Sequence, residues 1–136
     1  MNRNIGLWID HKNAYLIWHD KGKVEVIPSN VPPRTRSSGG ARIGGRYNQR
    51  VDSELRYNDR YKNQLNKYYL QVISTLQDAD SILLMGPGKA KLELEKAMEK
   101  RKDLHKRLLK VETAGKMTMN QMVAHVRRFF ARMKKT

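Results

Sequence analysis

The chain has no cysteine, which excludes disulfides and thiolate metal sites. Long apolar runs are also missing. No stretch approaches the ~18 apolar residues of a membrane-spanning helix. The first residues, MNRNIGLWID, lack the apolar run and small-residue cleavage site of a secretory signal, so a cytoplasmic location is expected. Negative charge is scarce, with 13 Asp+Glu set against 28 Lys+Arg, a formal +15 over 136 residues and a pI near 10.3. That excess is larger than solubility requires and predicts attraction to a polyanion. A membrane surface is also anionic, but the chain offers it nothing long and apolar enough to span. The length suits one domain, 1–136, able to bury roughly two-thirds of its unfolded surface.

What the chain does have is concentrated in residues 29–50, SNVPPRTRSSGGARIGGRYNQR. This segment holds five arginines, four glycines, two prolines and no acid. It is too polar and glycine-rich to build a core, and longer than the usual connection in a compact domain. Arg34, Arg36, Arg42, Arg46 and Arg50 repel one another unless an anion lies between them. Guanidinium groups fork onto phosphate oxygens, and Gly39, Gly40, Gly44 and Gly45 let a backbone approach a ligand closely. Nucleic-acid backbone is the anion this pattern fits. Tyr47, with no apolar company, is the stacking candidate. The plainer reading is a solvated loop with incidental arginines. Repulsion and glycine freedom together predict a segment that is mobile in the free protein and orders on binding.

Around this segment the periodicity predicts an α/β domain. Residues 5–9, 14–18 and 24–27 are short runs of β-formers separated by the turn signals Asp10-His11-Lys12-Asn13 and Asp20-Lys21-Gly22-Lys23, a hairpin meander. A long helix follows from Leu55 to Leu76, with apolar steps of three and four and with Asp52 or Ser53 as its cap. Its other side carries Arg56 and Arg60, which continue the basic segment. Residues 81–85, SILLM, read as a buried central strand. Gly86-Pro87-Gly88 then turns into a helix over about Lys89 to Lys100, with Ala90, Leu92, Leu94, Ala97 and Met98 as its apolar positions. Residues 108–111 form a further strand. Thr118 caps a last helix bearing Met119, Met122, Val123, Val126, Phe129, Phe130 and Met133 at helical spacing. Strand–helix–strand–helix order requires at least one parallel pair. The whole predicts a mixed sheet of about five strands, an antiparallel meander followed by parallel strands, in two or three layers.

Most other chemistry-bearing residues have structural readings. Gly86-Pro87-Gly88-Lys89 lacks the spacing and the Ser/Thr of a P-loop, and a tight turn explains it. His11, His19, His105 and His125 show no metal-ligand spacing. His11 is expected to be simply exposed in its turn, and His125 partly buried on its helix. No metal or other cofactor is expected. Asp10 ends the first strand, where nucleases of the ribonuclease H type place a metal-binding acid. The partner strand 81–85 offers no second carboxylate, so Asp10 reads as a turn residue. Trp8 and Trp18 read as core. Lys116, Arg127, Arg128 and Arg132 form a second basic patch, for which the dipole of the last helix is a partial structural reason.

The segments IGLWIDHKNAYLI, the basic Gly-Gly loop before a basic helix, DADSILLMGPGKAKLEL and LLKVETAGKMT resemble, in this order, the middle domain of class-1 peptide release factors and of the rescue factor Pelota. They are more similar still to the small bacterial single-domain relatives known as translational machinery proteins. The resemblance covers most of the chain. It implies a ribonuclease H-like fold, shared with some ribosomal proteins, and a role in translation. Release factors carry Gly-Gly-Gln before the long helix, where it helps water attack the peptidyl-tRNA ester. Here Gly39-Gly40 precedes Ala41 and Gly44-Gly45 precedes Arg46, and Gln49 does not complete the motif. Pelota also lacks it and acts without hydrolysis. The resemblance and the charge therefore imply a ribosome-associated, RNA-binding factor without catalysis of its own, acting in stalled-ribosome rescue or hibernation. Its partners would be the ribosome, ribosomal RNA or tRNA, and it would be a monomer when free. The alternatives are a peptidyl-tRNA hydrolase or nuclease with an altered site, and a general nucleic-acid-binding module.

Overall fold

A computed structural model describes residues 3–20, 22–31 and 47–134, and of residues 47–58 and 134 the backbone alone. The meander forms as β1 (Asn4–Ile9), β2 (Asn13–Trp18) and β3 (Lys23–Pro28). It is followed by α1 (Tyr47–Leu76), β4 (Ser81–Gly86), α2 (Ala90–Met98), a short α3 (Lys102–His105), β5 (Leu108–Thr113) and α4 (Met119–Lys134). The five strands make one mixed sheet in the order β3-β2-β1-β4-β5. β1 pairs antiparallel with β2, and parallel with β4 from Asn4 opposite Ser81 to Trp8 opposite Met85. β4 pairs parallel with β5, with an irregularity between Ile82 and Leu83. This is the mixed α/β sheet the periodicity predicts.

Alternation along β1 and β4 divides the apolar residues between two cores, since successive strand side chains point to opposite faces. On one face Ile5, Leu7, Ile9, Ile82 and Leu84 meet Leu65, Tyr68, Val72, Ile73 and Leu76 of α1 and Ala90, Leu94 and Met98 of α2. On the other, Trp8, Ile17, Leu83 and Met85 meet Met122, Val126 and Phe130 of α4. The domain thus has three layers, with α1, α2 and α3 on one side and α4 on the other. Each fully buried large apolar side chain, such as Phe130 or Leu84, stabilises the fold by about 1.5–3 kcal/mol. α4 lies so close to β1 that a side chain at Gly6 would collide with Val126, 2.1 Å from its Cγ2. Trp8 Nε1 also donates to the Gly115 carbonyl at 3.1 Å, tying β1 to the connection that precedes α4.

Three local expectations are corrected. α1 begins at Tyr47, so Asp52 and Ser53 lie inside the helix and do not cap it, and Tyr47 and Arg50 are helical residues. No glycine or proline follows Gly45 to stop the helix from extending back to that point. Leu92, one of the apolar positions in α2, is 52% exposed because it falls out of phase with Ala90, Leu94 and Met98. His11 is not simply exposed in its turn but pairs across the fold with Glu93 of α2.

Candidate nucleic-acid interface

Arg34, Arg36, Gly39, Gly40, Arg42, Gly44, Gly45 and Arg46 lie outside the described residues, as does the expected mobility of their segment. The structure does fix where that segment leaves and re-enters the domain. The chain leaving β3 is held by three features. Ser29 N donates to the Lys12 carbonyl at 2.8 Å. Gln64 Nε2 of α1 donates to the Ser29 carbonyl at 2.9 Å. Asn30 turns with a positive φ of 56°, a conformation asparagine tolerates better than most residues. Ser29 itself is buried. The segment therefore departs beside the turn that follows β1, at the C-terminal ends of the two central parallel strands. In open α/β sheets this is the end where ligands commonly bind.

That end is built from a polar network that joins three elements. Asp10 Oδ1 accepts from Lys12 N at 2.8 Å and Asn13 N at 2.7 Å, the turn role its position predicts. The Tyr68 hydroxyl of α1 donates to the Asp10 carbonyl at 3.0 Å. Tyr69 donates to Glu93 Oε1 of α2 at 2.6 Å, and His11 Nε2 lies 3.0 Å from the same oxygen. The His11 ring meets Tyr61 edge-on with centroids 6.4 Å apart. Burial, followed by the bond to Glu93, pushes the Tyr69 phenol well above its ordinary value. Burial and the charge of Asp10 do the same for Tyr68. Both phenols stay protonated near neutral pH and act as donors, not bases. Among the described residues, no group of three His, Cys, Asp or Glu is arranged to hold a metal ion.

The remaining predicted residues are distributed over both layers. Tyr47, Arg50 and Arg56 belong to the first turns of α1, and Arg60 is exposed one turn further on. At about 1.5 Å per residue, this 30-residue helix runs for about 45 Å. Its core contacts come from Tyr61 onward among the described residues. Lys116, Arg127, Arg128 and Arg132 are all exposed, the three arginines on α4. The structure does not bring them beside α1, because the sheet lies between the two helices. On their own face, His125 Nε2 of α4 lies 2.6 Å from Glu112 Oε1 of β5, and Lys110 Nζ is 3.4 Å from the other oxygen. Partial burial raises the Glu112 carboxyl, but the bonds from His125 and Lys110 outweigh it and hold the group below its ordinary value.

Sequence reasoning passed over the cations at the end of α2 and just after it. Lys96, Lys100, Arg101 and Lys102 are exposed; Lys96 and Lys100 line the seam between α2 and α1, and Lys100, Arg101 and Lys102 a second cavity past the end of α2. The run KRKDLHKR was the only signal, and without the fold nothing connects it to a concave surface.

No protein-family model matches the sequence, and no curated protein matches it. The fold is similar to that of the archaeal translation termination factor aRF1, with a TM-score of 0.51 at 12% identity. The similarity covers 98% of this chain and 39% of that protein. The chain therefore spans well under half of the termination factor's length, and at this identity what the two share is the fold. Among the described residues no helix is long and apolar enough to cross a membrane.

Proposed function

We propose that this chain is an RNA-binding factor that acts at the ribosome and catalyses no step itself, serving stalled-ribosome rescue or hibernation in the cytoplasm. The observation that carries this reading is a conjunction. A fold similar to that of a translation termination factor carries, between β3 and its longest helix, a stretch with four arginines and no acid, and a fifth arginine, Arg50, follows in the first turn of that helix. In this reading Arg34, Arg36, Arg42, Arg46 and Arg50 contact RNA phosphates, with Arg56 and Arg60 extending the contact along α1. Gly39, Gly40, Gly44 and Gly45 allow close approach and Tyr47 stacks on a base. Lys116, Arg127, Arg128 and Arg132 form a second contact. Glutamine is absent after both Gly-Gly pairs, which separates binding from ester hydrolysis, because positioning a water at the ester depends on local backbone geometry.

The test combines sedimentation with a release assay. The purified protein should pellet with ribosomes at low salt and leave them as salt rises. In excess over programmed ribosomes carrying peptidyl-tRNA, it should release no peptide above the uncatalysed rate. Failure to pellet overturns the ribosomal reading. Release that depends on Gly44, Gly45 or Gln49 makes the protein a hydrolase instead.

A further inference from the structure

The seam between α1 and α2 opens into a cavity of about 430 Å³ whose walls include Tyr61, Lys62, Tyr69, Glu93, Lys96 and Lys100. A second cavity, of about 420 Å³, continues past the end of α2, and Lys100 lines both. Arg101 and Lys102 lie in the second. The lining cations outnumber the acids, which are Glu93 in the first cavity and Asp103 in the second. Among the described residues, Lys62, Lys96, Lys100, Arg101 and Lys102 have no carboxylate within ion-pair distance. Glu93, the acid in the first cavity, is already engaged by Tyr69 and His11. Arg107 is also occupied, donating to the carbonyls of Gln77 and Ala79 at 2.8 and 3.0 Å behind the end of α1.

Lys96 lies in the last turn of α2, where the helix dipole favours a cation, and Lys100, Arg101 and Lys102 follow the end of the helix at Met98. Lysines are common on solvated helix faces. These differ because they rim a concavity of ligand size, floored by Leu65, Tyr69 and Ala97, with the half-buried ring of Tyr61 at its wall. An anion that also carries a flat apolar ring satisfies both features at once. We infer that the α1–α2 seam is a binding site for single-stranded RNA, in which a base lies against the half-buried ring of Tyr61 and the phosphates run along Lys62, Lys96 and Lys100 toward Arg101 and Lys102. Base-against-aromatic contact with lysines along the backbone is the usual chemistry of single-strand recognition. An acidic protein segment would satisfy the lysines but make no use of the Tyr61 ring. The inference rests on the RNA-binding reading above, and adds to it a surface apart from both the arginine segment and the α4 patch.

The experiment uses the full chain and a fluorescent ten-nucleotide oligouridylate, read by anisotropy over a salt series. A 4-thiouridine version maps contacts by crosslinking. The parent should crosslink within residues 61–69 and 93–102. The triple variant Lys62→Ala/Lys96→Ala/Lys100→Ala should bind roughly tenfold more weakly at low salt, with a log–log salt slope shallower by about 2. The three lysines are exposed, and an unchanged unfolding midpoint will confirm that the variant is folded. Unchanged affinity, with crosslinks elsewhere, overturns the seam and leaves RNA binding standing. Polyglutamate of equal length competing as well as the oligomer, with the same lysine dependence, overturns it in favour of an acidic protein partner. Seam crosslinks to the oligomer with no ribosome pelleting support the seam and overturn the ribosomal reading instead.

Discussion

Gly86 sits where β4 ends and the turn into α2 begins, and its backbone is at φ +151°. A side chain there would place its Cβ 2.1 Å from the carbonyl oxygen of Ile9. Two residues on, Gly88 has φ +63°, but a methyl group there would meet nothing within 4 Å. The two glycines thus differ in what they protect. Gly88→Ala meets only the left-handed backbone cost of about 1–2 kcal/mol. Gly86→Ala meets backbone strain of similar size and also a collision with main chain at the centre of the sheet, so it should cost about 3 kcal/mol or more. Urea unfolding of the two variants checks this, and equal costs would show that β1 and β4 can part without penalty. From sequence the Gly-Pro-Gly run was readable as a turn. The close approach to Ile9 was not, because the β1–β4 pairing that creates it joins segments far apart in the chain. The same limit applies to His11. Its turn was legible, but its partner Glu93 comes from a helix 82 residues later, so it reads as a free surface histidine until the fold is known.

At the scale of elements, what could be read depended on local chemistry. α4 was legible at its start because both halves of its cap are local. Thr118 Oγ1 accepts from Gln121 N at 3.2 Å, and Gln121 Oε1 accepts from Thr118 N at 2.9 Å, a reciprocal capping box. Thr118→Ala should therefore lower stability by about 1 kcal/mol, and Thr118→Ser should recover most of it. Equal unfolding midpoints for the parent and the alanine variant would mean that packing of Met122, Val126 and Phe130 alone sets the helix boundary. α1 was misread at its start for the opposite reason. Asp52 and Ser53 have good cap chemistry, yet no breaker separates them from Tyr47, and the helix continues through both. α3 went unread because four residues, Lys102–His105, are too few to show a period. The strands were legible throughout, since β1, β2 and β4 each bring β-branched or aromatic residues between turn signals.

At the scale of the molecule, the charge of +15 was fully legible, but its division between two layers was not. The sheet separates the exposed arginines of α4 from α1 and the lysine seam, so a polyanion would meet distinct cationic faces. The arginine segment adds a third group of cations, attached at a place the structure fixes through Ser29, Gln64 and Lys12. Each arginine that neutralises a phosphate releases counterions, and this makes affinity fall with salt by about 0.7 to 0.9 in log–log slope per contact. Five arginine contacts predict a contribution of roughly −3.5 to −4.5 across single-stranded and duplex targets. Replacing Arg42, Arg46 and Arg50 together by alanine should flatten the measured slope by about 2 to 3. The unfolding free energy is expected to stay within about 0.5 kcal/mol of the parent, because a segment this polar and glycine-rich builds no core. Arg50 lies within α1, where alanine is the better helix former. The measurement is a filter-binding or anisotropy titration against one RNA at several salt concentrations, with urea unfolding alongside. A salt-independent affinity in the parent, or a triple variant that binds as tightly with the same slope, would remove the arginine segment from the interface. In that case binding would fall to the α4 arginines and the lysine seam. A flattened slope with stability intact would instead assign the segment to phosphate contact.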